Sequence, residues 1–450
     1  MGPGPAGGPR VFLHTLGCPK NEADSRSVRR ALAEGGIDVV DDAGDATHIL
    51  LNTCGFIREA KEESIGAILD VSASYPDKQI LVMGCLVERY RDELSRGMPE
   101  VTAWFGLAGG PDEEALVRLL GGESAGGAAR GAMPAQPAPT GVIVCSPTSY
   151  AYVKISDGCD ELCTFCAIPG IKGPYRAATP REILREADSC LTEGAKELVL
   201  VGQDTARWES GDLDLAGLVD LLVVDPRLEW LRVMYLQPEH VTDAFLECMG
   251  RQAKLCRYLD LPLQHSHPDV LRRMGRAGDA DSYLGLLARA RRFIPDVALR
   301  SAFIVGFPGE TEAQFEHLLD FVSEAEFDYA GGFIYSPEEG TLAARLKPQV
   351  PRRVARERLN RLNQVLGEVA ERVHARQVGS SVEVMIDSVA GDDPCDGPEA
   401  EGRTRGQAPE VDGVVHVEGQ LPDRTAVGDV IRVTIEASVG YDLVGTIGGS

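Results

Sequence analysis

The sequence predicts an α/β chain in three successive parts: an N-terminal parallel α/β domain over residues 10–120, a partial (β/α)6 barrel over 148–376, and a small C-terminal β-barrel over 377–450. Three observations predict it. Short apolar strands alternate with amphipathic helices up to about residue 335, the pattern of a parallel sheet. A Gly/Ala/Pro-rich stretch at 121–147 divides that series in two and reads as a flexible linker. From about residue 377 the helices give way to alternating strands joined by Gly, Pro and Asp turns.

In the first part "VFLHTLG" leads to Cys18, "HILLNT" to Cys54 and "ILVMG" to Cys85. Between these strands "DSRSVRRALAEGG" and "EAKEESIGAILDVSA" have helical spacing, the first closed by glycine. Each cysteine therefore falls just past the carboxyl end of a parallel strand, the edge where open α/β sheets hold ligands. A buried cysteine can also be simple packing. The polar neighbours in "GCPKN", "NTCG" and "MGCL" argue against that here, so the three thiols are expected to converge as ligands.

The barrel strands are expected at "YAYVKIS", "ELVLVG", "LRVMYL", "RYLDLPL", "LRSAFIVG" and "YAGGFIY". Helices lie between most of them, among them "TPREILREADSCLTEG", with Thr179 as cap before Pro180, and "TEAQFEHLLDFVSEAE". Six units are too few to close an eight-fold barrel, so the sheet should remain open. A long charged helix, "PRRVARERLNRLNQVLGEVAERVHARQVG", leads out of it. Beyond it "SVEVMIDSV", "GVVHVEG" and "DVIRVTIEASV" are the strands of the small barrel.

Composition narrows the function classes. No apolar run is long enough for a membrane helix and no secretory leader is visible, so the expectation is a cytoplasmic protein without a membrane partner. Eleven cysteines then argue for metal or redox chemistry rather than a disulfide framework. The net charge of −24 repels phosphate backbones and attracts basic partners, although charge can also serve solubility alone. No Walker-type phosphate loop and no Ser/His/Asp set is present. No general acid or base is therefore named, and no catalytic side chain.

The densest motif is "GCDELCTFCAIPG", which places Cys159, Cys163 and Cys166 in the loop after the first barrel strand. That loop lies at the carboxyl face, where barrel sites are found. Thiolates at this spacing suit an iron–sulfur cluster or zinc. Zinc would call for a second pair of ligands at finger spacing, and none follows; incidental burial is the remaining alternative. A 4Fe–4S cluster on three thiolates leaves one iron open to an outside ligand.

With Phe165 before Cys166, the CxxxCxΦC run resembles the radical S-adenosylmethionine signature. That resemblance implies that the amine and carboxylate of S-adenosylmethionine fill the open position and that a 5′-deoxyadenosyl radical is released. Over nearly its whole length the chain is similar to the radical SAM methylthiotransferase family, with a three-cysteine N-terminal domain, the radical SAM barrel and a TRAM-like barrel. The resemblance implies a second 4Fe–4S cluster on Cys18, Cys54 and Cys85, with an open iron for an exogenous sulfide. S-adenosylmethionine would then be both radical source and methyl donor, with an external electron donor and a sulfur source as further partners.

"GCPKN", "LDLPLQH", "YSPEEGT" and "APEVDGVV" resemble the branch acting on an aspartate of small-subunit ribosomal protein number twelve. The tRNA-modifying branch, the alternative, has a different first-cysteine motif. Residues 377–450 carry 14 Asp and Glu against 4 Arg, which suits a basic ribosomal protein or an assembled ribosomal subunit better than tRNA. A non-catalytic iron–sulfur scaffold is the other class of protein to be distinguished.

One departure from the family pattern stands after the cysteine loop. Arg176 is kept, but Ala177 and Ala178 follow where the family tends to have Ser-Arg, so a contact there is lost or passes to Arg181. Gln203 in "VGQDT" and Gly306 in "VGFPGE" end barrel strands at the same face and are candidates for S-adenosylmethionine binding, although turn geometry alone could require the glycines. His265 and His267 are too closely spaced for a metal pair and are expected in substrate-face or structural roles. Cys145, Cys190, Cys248, Cys256 and Cys395 have no partner pattern.

Overall fold

The computed structural model describes residues 8–121, 148–390 and 399–447. The stretch expected to be a linker lies outside the described residues, apart from Gly121, as do Cys145 and Cys395. The chain forms two compact units. One holds the described residues up to 121 together with Ala167–Gly173; the other holds the rest. The barrel and the C-terminal strands, expected as separate domains, thus share one unit, while seven residues after Cys166 belong with the N-terminal unit.

The N-terminal unit is built on a five-stranded sheet in the order β2-β1-β3-β4-β5, every pair parallel. The strands expected from the sequence are β1 (Arg10–Thr15), β3 (His48–Thr53) and β4 (Gln79–Gly84). The structure adds β2 (Asp38–Val40) and β5 (Val101–Trp104) at the edges. Both are short and half-exposed, so they lack the continuous apolar run that marks a strand buried on two faces.

Helices cover both faces. Leu50 packs with Val28 and Leu32 of α1 (Pro19–Glu34) and Leu116 and Leu120 of α4 (Pro111–Leu120). Its neighbours Ile49 and Leu51 turn the other way, onto Ile68 of α2 (Arg58–Ser74) and Leu86 and Leu94 of α3 (Cys85–Gly97). The two-residue alternation of a strand explains this division. A short helix, α5 (Ile168–Lys172), packs against α3.

In the second unit the six expected barrel strands are Tyr150–Lys154, Glu197–Val201, Trp230–Val233, Tyr258–Gln264, Ala298–Val305 and Tyr329–Ile334. They form two parallel three-stranded sheets, the first three and the last three. Between third and fourth the ladder thins to a bridge from Leu231 to Leu255 and a bond from the Leu236 N–H to the Asp260 carbonyl at 2.9 Å. Among the described residues the first and sixth strands do not pair, so the barrel is open. The surrounding helices begin as their sequences dictate. The Thr179 hydroxyl accepts from the Glu182 N–H at 3.3 Å while Glu182 accepts from the Thr179 N–H at 2.7 Å, a reciprocal cap. Thr311 and Gln314 repeat it.

The exit helix runs over Arg352–His374, and a closed five-stranded barrel follows in the order Ser381–Val389, Ala400–Thr404, Val415–Glu418, Asp442–Ile447, Val430–Val439. It adds Ala400–Thr404 and Asp442–Ile447 to the three expected strands. The loop from Arg405 to Asp412 reaches the amino-terminal ends of the larger barrel's strands. There Asp412 accepts from Tyr258 Oη at 2.6 Å and pairs with Arg300 at 3.2 Å, and Glu410 accepts from Tyr152 Oη at 3.1 Å. The fully buried Glu197 takes Arg232 on one oxygen at 2.6 Å and Arg403 on the other at 2.7 Å. "APEVDG" thus contributes an internal wedge. Asp387 and Glu383 pair with Arg403 and Arg405 of the same segment, whereas the buried Asp412 pairs with Arg300 of the larger barrel, so one of the 14 acids is turned inward and neutralised from outside the segment.

Candidate iron–sulfur sites

The N-terminal thiols stand at three adjacent strand ends. Cys54 follows β3 directly, Cys85 follows β4 as the first residue of α3, and Cys18 precedes α1 two residues after Leu16. β1, β3 and β4 are neighbours in the sheet, so parallel topology gathers the thiols although the sequence separates them. Gly17 permits the approach. Its φ of +101° lies in the left-handed region, and a Cβ there would stand 2.6 Å from Cys54 Cβ.

Polar side chains hold these turns. Asn21 donates to the Leu16 carbonyl at 2.7 Å, and Asn52 donates to the Asn21 carbonyl at 3.0 Å and to Ser25 Oγ at 2.9 Å. Ser64 Oγ accepts from the Cys54 N–H at 3.1 Å and donates to the Cys54 carbonyl at 2.9 Å. The "GCPKN" and "NTCG" motifs are thereby accounted for as turn scaffolding. Burial pushes the Cys54 thiol up, and it pushes Cys85 up to about 12, the neighbouring cysteines adding to both. The ammonium of Lys172 at the end of α5 acts against this at Cys85.

The barrel thiols sit on a single loop. The Thr164 N–H donates to the Met274 carbonyl at 2.8 Å, its hydroxyl to the Arg273 carbonyl at 2.7 Å, and its carbonyl accepts from the Ala343 N–H at 2.8 Å. Phe165 packs against Val270, Met274, Phe307, Tyr335 and Ala343, which gives the aromatic position of the motif its physical purpose as an anchor. The Cys166 N–H donates to the Cys163 carbonyl at 3.1 Å, and Cys159 Sγ accepts from the Glu161 N–H at 3.4 Å. Burial raises the Cys159 thiol, against the hydrogen bond from the Glu161 N–H, and it raises Cys163, where the buried guanidinium of Arg276 opposes it.

None of the six cysteines of the two sets is in a disulfide. Among the described residues, one group of His, Cys, Asp or Glu side chains has three ligand atoms within 4.8 Å of one another, Glu161, Asp204 and His240, and it contains no cysteine. Three soft sulfur donors without an imidazole fit a 4Fe–4S cluster with one open iron better than a closed tetrahedral zinc site. Arg276 and the Asp204–His240 pair were not foreseen. Asp204 follows Gln203 in "VGQDT" and accepts from His240 Nδ1 at 2.5 Å, and burial raises its carboxyl. His240 and Arg276 carry no local sequence signal, since each reaches the site only through the barrel's curvature.

The remaining candidates fall as follows. Gln203 follows the second barrel strand, and its Oε1 is buried without a protein partner. Gly306 has φ +75° and a Cβ there would stand 2.5 Å from Ala355 Cβ, so packing of the exit helix already requires glycine. Ala177 and Ala178 pack on the barrel core, and Arg176 and Arg181 are exposed. His265 is buried, which lowers its pKa; its Nδ1 accepts from the His267 N–H at 3.0 Å, and His267 caps the helix Pro268–Met274. Cys190, Cys248 and Cys256 lie in the core.

Comparison with known proteins agrees with this geometry. Residues 10–106 match Uncharacterized protein family UPF0004, 153–322 the Radical SAM superfamily and 378–447 the TRAM domain. The fold is similar to the radical S-adenosylmethionine methyltransferase TsrM from Kitasatospora setae, with a TM-score of 0.55 at 15% identity over 75% of this chain and 74% of that one. It is also similar to the cobalamin-dependent S-adenosylmethionine radical enzyme OxsB, with a TM-score of 0.50 at 13% identity over 80% and 56%. Fold and cysteine loop define a radical S-adenosylmethionine enzyme.

Sequence similarity reaches further. The ribosomal protein uS12 methylthiotransferase RimO of Thermotoga maritima is 40% identical over 448 residues, covering 97% of this chain and all of that protein. That of Desulfitobacterium hafniense is 37% identical over 452 residues, covering 97% and 98%. The chain belongs to the uS12 methylthiotransferase (RimO) family.

Proposed function

We propose that this protein methylthiolates the β-carbon of an aspartate in ribosomal protein uS12, free or within the small subunit. The observation that carries the reading is the pair of three-thiol sets, each at the carboxyl ends of parallel strands, in a chain of this family. When bound, 4Fe–4S clusters and S-adenosylmethionine supply the one-electron chemistry, the methyl group and a landing place for sulfur. Such means are needed because a β-carbon beside a carboxylate has no leaving group.

The chain's own residues hold and screen these groups. Cys159, Cys163 and Cys166 are the ligands of the barrel cluster, and Cys18, Cys54 and Cys85 those of the N-terminal cluster. Arg276 offsets the charge that Cys163 acquires as a thiolate. The buried, unpartnered Gln203 oxygen would accept a hydrogen bond from the methionine part of S-adenosylmethionine, and Gly306, which follows the fifth barrel strand, would border the same cofactor. An external electron donor and a sulfur source complete the reaction. No helix among the described residues is long and apolar enough to cross a membrane; it is the ribosomal substrate that implies a cytoplasmic setting.

Mass spectrometry after anaerobic reaction with uS12 or small subunits tests the assignment. A gain of about 46 Da on an aspartyl peptide, a hydrogen replaced by SCH3, is expected. The same gain on a tRNA adenosine, with none on the protein, would transfer the reading to the tRNA branch. Iron without cleavage of S-adenosylmethionine would leave only a scaffold.

A further inference from the structure

Lys172 ends α5, six residues beyond Cys166 in sequence, yet it belongs to the N-terminal unit. Its side chain is only 3% exposed, and its ammonium lies 2.9 Å from Asp24 Oδ2, itself 6% exposed. Asp24 lies on α1, which Cys18 precedes; α5 packs on α3, which Cys85 opens. The pair thus joins α1, which follows Cys18, to α5, which packs on the helix that Cys85 opens.

Stability does not account for it. A buried ion pair is often no better than a packed apolar pair of the same size, because desolvation offsets the attraction. The surroundings do account for it. Three thiols that become thiolates on binding iron, together with an anionic sulfur ligand, concentrate negative charge where water is scarce.

We propose that Lys172 is a positioning residue of the N-terminal three-cysteine site, its buried ammonium attracting and holding an anionic sulfur ligand of the hydrosulfide or methanethiolate class. The inference rests on the cluster reading of Cys18, Cys54 and Cys85. It assigns part of the sulfur site to the stretch that follows the radical cysteine loop.

The test uses the full-length chain carrying Cys159→Ala, Cys163→Ala and Cys166→Ala, reconstituted anaerobically, so that only the N-terminal cluster contributes a signal. Sodium methanethiolate is titrated against the electron paramagnetic resonance spectrum of the reduced cluster. Lys172→Met should weaken binding about tenfold or more at unchanged iron content, and Lys172→Arg should restore most of it. Asp24→Asn, which keeps the cation, should bind as tightly as the parent or more so. Equal affinity in Lys172→Met and the parent overturns the proposal. If Lys172→Met loses its iron, Asp24→Asn decides. Retained iron and affinity support an electrostatic role, whereas loss of either leaves only a packing pair and overturns it. A parent chain without iron would instead sink the cluster reading beneath it.

Discussion

The two cysteine sets are assembled in opposite ways. Cys159, Cys163 and Cys166 lie within eight residues on one loop, held by Thr164 and by Phe165 in its apolar seat. Cys18, Cys54 and Cys85 are separated by more than thirty residues at each step and stand at neighbouring strand ends only because three parallel strands lie side by side. The loop set depends on local spacing and a few anchors. The strand-end set depends on an entire sheet, on Gly17, and on a polar scaffold from Asn21 to Ser64. A local motif can be lost at one residue, whereas a dispersed one can be lost at many residues that touch no metal.

The strongest challenge to this contrast is to remove one ligand from each set. Cys159→Ala should abolish reductive cleavage of S-adenosylmethionine, read as 5′-deoxyadenosine released with dithionite. Cys54→Ala should leave most of that cleavage in place and stop sulfur insertion. Equal loss of cleavage in both would mean that the N-terminal set supports the fold rather than the sulfur step.

A second probe avoids the ligands. Gly17→Ala should reduce iron from about eight to about four per chain while cleavage persists, because its Cβ collides with Cys54 and the left-handed backbone adds about 1 kcal/mol of strain. Full iron in this variant would show that the strand-end set tolerates more displacement than its packing suggests.

Phe165→Ala asks the same of the loop set. Loss of its contacts with Val270, Met274 and Phe307 should cost about 2 kcal/mol of local order, seen as faster hydrogen exchange in the loop and a several-fold loss of cleavage. N-terminal iron should be unaffected.

The smallest effect on chemistry is expected from Glu197→Gln at the closed base of the barrel. It leaves Arg232 and Arg403 buried with half their compensation and should destabilise the second unit by about 3 kcal/mol, read as a lower unfolding midpoint, with iron content and cleavage unchanged below that midpoint. A change in cleavage before unfolding would tie the base to the site.

Much of this was legible beforehand, and for a physical reason. Strands buried on both faces of a parallel sheet need unbroken apolar runs, so "HILLNT" and "ELVLV" announce themselves, and the residues after them fall at the ligand-holding edge. Reciprocal caps are equally local, as Thr179 and Glu182 show. The edge strands "DVV" and "VTAW" have no such run, because a half-exposed strand of three or four residues is held by its neighbour rather than by its own pattern. "APEVDG" could be recognised as a family motif, but only the fold showed Asp412 and Glu410 turned inward to the barrel base rather than outward to a partner. Lys172 is the sharpest case. In sequence it trails the radical cysteine loop, and in space its ammonium lies with Asp24 in the other unit. Sequence sets the chemistry a side chain carries and the period of the element it sits on. Which charges share a dry interior depends on contacts between residues far apart in the chain, and those exist only once it has folded.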